Sequence, residues 1–176
     1  MKPRLIIISD LWGIENSNWV NSYFEILKTR FEIQLYDSCK LANISLADRT
    51  ENKLHDKFID GGIDVAVENL LNLEKGNIAI LAFSIGGTIA WKAGLKGLKI
   101  NNFIAISSTR LRYETIKPNC KLKLYFGEND QNKPLAIWSK TLNIDLEIVE
   151  NEDHEMYKNH DFAIKFCSEL ILNLHD

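Results

Sequence analysis

Short apolar runs alternate with longer amphipathic segments along this chain, and few folds accommodate that alternation. The runs at 5–9, 31–36, 77–82, 102–107, 121–126 and 146–150 are candidate strands. Most are continuously apolar rather than alternating, as expected of parallel strands covered on both faces. Between them the apolar residues take helical spacing. Trp19, Tyr23, Phe24 and Leu27 form one stripe, and Val67, Leu70 and Leu71, with Leu73 close by, form a second. Phe162, Ile164, Phe166, Leu170, Leu172 and Leu174 mark a terminal helix with a less regular apolar face. Six strands with interleaved helices predict an α/β domain: a doubly wound, mostly parallel six-stranded sheet with helices on both faces. Right-handed crossovers follow. The stretch 37–52 has no clear period and is expected to be a loop or a short surface helix.

A chain of 176 residues suits one domain with one core and needs no disulfide or metal staple. It is 45% apolar and 26% charged, within the usual globular range. The net charge of −3, from 21 basic and 24 acidic residues, gives no electrostatic reason to expect nucleic acid or an anionic membrane as partner. Cys39, Cys120 and Cys167 are odd in number and widely spaced, which argues against a disulfide framework or a structural zinc site. Met1-Lys2-Pro3-Arg4 runs straight into an apolar segment too short for a signal-peptide core. No apolar run approaches the roughly 20 residues of a membrane span. These features predict a reduced, cytoplasmic protein.

Ligands of open α/β sheets bind beyond the carboxyl ends of the strands, so the residues that follow each run carry the functional signal. The first run is followed by Asp10-Leu11-Trp12-Gly13, and the third by Phe83-Ser84-Ile85-Gly86-Gly87. The fifth leads into Gly127-Glu128-Asn129-Asp130, and the sixth into Asn151-Glu152-Asp153-His154. A serine on a tight strand-to-helix turn needs small residues two positions away on either side, and Ala82 and Gly86 meet that demand. The helix expected over 86–95 would bring its N-terminal amides close to Ser84 and favour negative charge there. The simpler reading of the turn is helix packing alone.

His154 follows the last strand and is the candidate base, a group able to cycle protons near neutral pH. His55, His160 and His175 lie in or beside helical segments and read as solvated side chains. Three carboxylates compete to orient the base: Asp130, Glu128 and Asp10. Asp130 has a second reading as N-cap of a helix near 133–141, and Glu128 as a surface turn residue. An oxyanion hole requires two backbone N–H groups. Ile85, following the serine, supplies one candidate; Leu11 is the first choice for the other and Trp12 the second. Gly13 lets that loop turn sharply. Trp12 either walls a substrate pocket or packs.

With those residues in place, the chain resembles the α/β-hydrolase superfamily, specifically its small, cap-less carboxylesterase-like members. The resemblance spans nearly the whole chain and rests on the elbow 82–87, the acid loop 127–130 with Pro134, and the His154 loop. Family members look like G-x-x-D-x-x-x-P at the acid position; Gly127 and Asp130 fit that register and Glu128 does not. The resemblance implies a minimal α/β-hydrolase fold with Ser84 as nucleophile, His154 as general base, Asp130 as its partner, and Leu11 and Ile85 as oxyanion donors. Ala82 stands where glycine is usual, and Asp153 precedes the histidine where glycine is common. The N-terminal antiparallel strands and the cap of the full fold have no counterpart here, which predicts an open, shallow site.

The activity implied is a serine hydrolase cleaving a small carboxylic ester or thioester, with no cofactor and no metal. Arg110 and Arg112, in the segment 108–119, are candidate contacts for an acidic substrate group or an acidic carrier, against the simpler reading of solvated loop arginines. On the first reading the chain is similar to compact esterases acting on esters bound to acyl carrier protein. The alternative from another class is a catalytically inactive α/β-hydrolase-like protein that binds a ligand or partner. A nucleotide- or flavin-binding domain is disfavoured, because neither G-x-G-x-x-G nor a P-loop follows any strand.

Overall fold

Six strands form one sheet in a computed structural model of the chain, which describes residues 2–15, 17–45 and 50–172. In chain order the elements are β1 (Arg4–Ile8), α1 (Trp19–Leu27), β2 (Glu32–Tyr36), α2 (Ser38–Leu41), α3 (Glu51–Lys57), α4 (Ile63–Leu73), β3 (Ile78–Phe83), α5 (Ile85–Leu95), β4 (Ile100–Ile106), β5 (Lys121–Gly127), α6 (Ala136–Leu142), β6 (Asp145–Val149) and α7 (His160–Leu172). The expected strands fall within two residues of these bounds. Part of the stretch 37–52 forms α2; residues 46–49 lie outside the described residues, as do Leu174 and His175. The helix expected from 133 begins instead at Ala136, after a turn at 131–132 and an irregular stretch that includes Pro134.

Every strand pair is parallel, in the order β2-β1-β3-β4-β5-β6. The sheet is therefore wholly parallel. Alternate residues of β1 point to opposite faces: Leu5 and Ile7 join α1 and α7, while Ile6 and Ile8 join the cluster beneath α4 and α5. Burial of this kind is worth roughly 1.5–3 kcal/mol per large side chain, and Phe83, Trp91, Phe103 and Phe126 are all fully enclosed. The edge strands β2 and β6 are the least buried, and each of their residues is intermediate or exposed.

The direction of winding reverses between β1 and β3, so a topological switch point opens there, the usual position for a site in such sheets. Ser84 follows β3 at that point. The helix it introduces, α5, is buried on nearly every side. Among the described residues no helix is long and apolar enough to cross a membrane.

Candidate active site

Ser84 occupies φ 49° and ψ −119°, a left-handed backbone conformation that a non-glycine residue adopts only when its surroundings impose it. The backbone bonds on both sides do so: Ser84 N–H donates to Ile106 O at 3.1 Å, and Ser84 O accepts from Gly87 N at 3.1 Å and Thr109 N at 3.3 Å. Gly86 shows why the turn demands a small residue. A Cβ there would sit 2.4 Å from Ser9 O and 2.8 Å from Ile8 O, both backbone atoms. The opening of α5 thus packs directly on the end of β1.

Two further loops converge on this turn. Ser84 Oγ lies 3.1 Å from His154 Nε2, and His154 Nδ1 lies 3.0 Å from Asp130 Oδ2. The first of these lies within the roughly 3 Å hydrogen-bond reach that a nucleophile and its base require. The Ser84 and Asp130 side chains are enclosed, while that of His154 is 28% exposed. Asp130 Oδ1 accepts from Asn132 N at 2.7 Å, so this carboxylate braces its own turn rather than capping α6. The acid and histidine loops meet at Gly127, where a Cβ would come within 2.4 Å of Glu152 O and 2.5 Å of Asp153 O. Asn129 N–H donates to Glu152 O at 2.8 Å across the same seam.

The other two carboxylates are occupied elsewhere. Glu128 is exposed and accepts from Asn151 N at 3.0 Å. Asp10 is buried, with Oδ1 taking the Trp12 N–H at 3.0 Å and Oδ2 the Tyr157 hydroxyl at 3.1 Å. Burial pushes the Asp10 carboxyl above its usual range, and it also raises the Tyr157 phenol. Because the Trp12 amide is committed to Asp10, it is not free to face an oxyanion. The Leu11 amide carries no hydrogen bond among the described residues, and neither does that of Ile85. Gly13, at φ 74°, turns the Leu11 loop back toward β2.

The Trp12 side chain packs against the core cluster beneath α4 and α5. Arg110 lies over the Tyr113 ring and faces a cavity of about 410 Å³ lined with Phe58, Ile63 and Lys92; none of Ser84, Asp130 and His154 lines it. Arg112 instead donates from Nη1 to Asn132 Oδ1 at 2.9 Å and to Asn132 O at 3.4 Å. The segment between β4 and β5 contains only the short turn Leu111–Tyr113, so no cap stands there; Ser84 is 0% exposed beneath the partly exposed His154. Asn132 escaped the sequence reading because an asparagine in a turn has an ordinary local explanation. Asp153, whose position beside His154 weakened the resemblance, accepts from Glu155 N at 2.8 Å and leaves Ser84 to the imidazole. Among the described residues no cluster of three or more His, Cys, Asp or Glu could hold a metal ion.

No protein-family model and no curated protein sequence matches this chain. Solved structures do. An α/β-superfamily protein from Xanthomonas campestris pv. campestris is 16% identical, with 98% of this chain and 99% of that one aligned at a TM-score of 0.70. A dienelactone hydrolase-like promiscuous phosphotriesterase from metagenomic libraries is 11% identical over 98% of this chain and 85% of its own, also at 0.70. Mouse alpha/beta hydrolase domain-containing protein 10 is 16% identical over 99% and 91%, at 0.66. The fold is that of the α/β hydrolases, in a six-stranded, all-parallel form.

Proposed function

We propose that this protein is a serine hydrolase that cleaves a small carboxylic ester or thioester through an acyl-enzyme. The observation that carries the reading is the continuous path from Ser84 Oγ through His154 to Asp130, with links of 3.1 and 3.0 Å. In the proposed reaction Ser84 Oγ bonds to the acyl carbon as its proton passes to His154 Nε2. The free amides of Leu11 and Ile85 hold the oxyanion, and His154 returns the proton to the departing alcohol or thiol. Water then attacks the acyl-enzyme, giving its proton to His154, and the acid leaves as Ser84 is reprotonated. Asp130 holds the imidazole with Nδ1 protonated and offsets its positive charge. The fold supports the reading, because its neighbours include a dienelactone hydrolase-like phosphotriesterase.

The exposed edge of His154 marks the side from which substrate approaches, since Ser84 and Asp130 are enclosed. A narrower form of the reading has the acyl group presented on an acidic carrier, with Arg110, which has no ion pair among the described residues, as a contact. A cytoplasmic setting belongs to the same reading; Cys39 and Cys167 are buried thiols in clusters on opposite faces of the sheet, where they cannot bridge. A fluorophosphonate probe tests the central claim. The expected result is labelling of the wild type, loss of labelling in Ser84→Ala and slowed labelling in His154→Ala. An unlabelled wild type, or equal labelling of Ser84→Ala, refutes it.

A further inference from the structure

The peptide joining Asp10 to Leu11 is held by its carbonyl and leaves its N–H free. Asp10 O accepts from Gly13 N at 3.3 Å and from the Ser9 hydroxyl at 3.1 Å, and Ser9 Oγ itself accepts from Ser38 N at 2.9 Å. In a trans peptide the N–H points opposite to the C=O. With the carbonyl turned into these donors, the Leu11 N–H is directed out of the turn, and it has no partner among the described residues. The next peptide is held as well: Leu11 O accepts from the Cys39 thiol at 3.1 Å, and Trp12 N donates to Asp10 Oδ1 at 3.0 Å. The Asp10 carboxylate thus closes the same turn that its own carbonyl opens.

That carboxylate depends on a residue far away in sequence. Asp10 is 1% exposed, so bulk water does not reach it, and the donor facing Oδ2 is the Tyr157 hydroxyl at 3.1 Å. Tyr157 is also buried, and its carbonyl accepts the Tyr23 hydroxyl at 2.9 Å, which fixes the phenol from behind. A buried carboxylate oxygen stripped of its donor is costly. Without the Tyr157 hydroxyl, Asp10 would rotate to find another partner and release Trp12 N, and the turn over 10–13 would lose its closure. Tyr157 lies three residues past His154, so the segment that carries the base also braces the turn that carries the Leu11 amide.

We propose that Tyr157 is a positioning residue for the oxyanion hole: through Asp10 it keeps the turn over 10–13 closed, with the Leu11 N–H directed outward to receive the substrate oxygen. The inference rests on the hydrolase reading, which supplies the reaction in which that oxygen becomes negative. Tyr157 acts through Asp10, so its hydroxyl matters only while the Asp10 carboxylate is present.

Tyr157→Phe tests this, because it keeps the ring beside His154 and removes only the hydroxyl. With p-nitrophenyl acetate, kcat should fall roughly ten- to a hundredfold, the scale of a misplaced catalytic group, with KM unchanged. Methylboronic acid, whose tetrahedral adduct on Ser84 puts an oxygen where the oxyanion forms, should lose affinity by a similar factor. The midpoint of the pH dependence of kcat/KM should stay in place, since the imidazole and Asp130 are untouched. Asp10→Ala should lose at least as much as Tyr157→Phe, and the double variant should match Asp10→Ala. Asp10→Asn, whose amide can still accept from Trp12 N and donate to the Tyr157 oxygen, should recover much of that loss. A rise in KM at constant kcat in Tyr157→Phe would make Tyr157 a substrate contact and overturn the proposal. A shifted pH midpoint with undiminished boronate affinity would place its effect on His154 instead, and additive losses in the double variant would remove Asp10 as the intermediary. A wild type that reacts with fluorophosphonate beside an equally active Tyr157→Phe overturns this inference alone. A wild type inert to both fluorophosphonate and the ester overturns the hydrolase reading and this inference with it. Should Tyr157→Phe fail to fold, Asp10→Asn against Asp10→Ala makes the same comparison of kcat and boronate affinity.

Discussion

Tyr157 gives its hydroxyl hydrogen bond to Asp10 at 3.1 Å, joining the turn behind His154 to the loop that carries the Leu11 amide. Asp10 in turn holds the Trp12 N–H at 3.0 Å, so one buried carboxylate shapes the loop opposite the serine. The Tyr157 ring also stands edge-on to His154, with centres 6.1 Å apart.

The Asp10 clamp has a pH signature. Burial raises its folded-state pKa above the ordinary value of 3.8, so the unfolded chain releases this proton first as pH rises. Over that window the folded state binds more protons, and stability falls with increasing pH. Asp10→Asn keeps an acceptor for Trp12 and removes the ionisation. Urea unfolding at pH 4 and pH 7 should show the variant gaining on the wild type at the higher pH. A difference that stays constant, or reverses, would rule out this assignment.

Gly127 predicts a structural defect with a chemical readout. A methyl group at this position meets two backbone carbonyls at 2.4 and 2.5 Å, and neither can rotate away. Gly127→Ala should cost about 1–3 kcal/mol, the usual range for overpacking, and should move Asp130 away from His154. Calorimetry and ester hydrolysis should both fall, with activity lost at temperatures where the variant is still folded. Full activity at those temperatures would show that the seam does not set the Asp130–His154 distance.

Asp130 is expected to matter through the tautomer of His154. Asp130→Asn preserves shape but can donate to Nδ1, which favours the imidazole with its proton on Nε2, useless as a base toward Ser84. A loss of about 10⁴ in kcat follows by analogy with other triads. Glu128→Gln, whose carboxylate lies on the exposed Asn151 turn, should remain within a fewfold of wild type. Comparable losses in the two variants would contradict the assignment of the acid.

Alkaline stability should report on Cys167. Burial pushes this thiol up to about 12 from 9.0, so the unfolded chain ionises first between those values, and stability drops as pH rises through that window. Three units correspond to about 4 kcal/mol at the upper end. The slope of unfolding free energy between pH 9 and 10.5 should be shallower in Cys167→Ala, which removes the titrating group at some cost in packing. An unchanged slope would place the alkaline sensitivity in the buried tyrosines instead, since Tyr23 is raised by burial as well.

Much of this protein is visible in local sequence, because strand burial and turn sterics are local constraints. Continuous apolar runs located all six strands, and Ala82 with Gly86 marked the turn at Ser84 because only small side chains fit beside it. The order of serine, aspartate and histidine along the chain could be read directly. What the sequence left undecided was which of several residues, each following a strand, would meet. Asp10, Glu128 and Asp130 have similar local settings, but the register of β5 against β6 and the contact at Gly127 put only Asp130 beside the imidazole. The turn between β4 and β5 likewise gave Arg112 to Asn132 and left Arg110 over a separate cavity. Distances between loops depend on strand order and register, and these are settled by packing across the whole sheet rather than by any one segment.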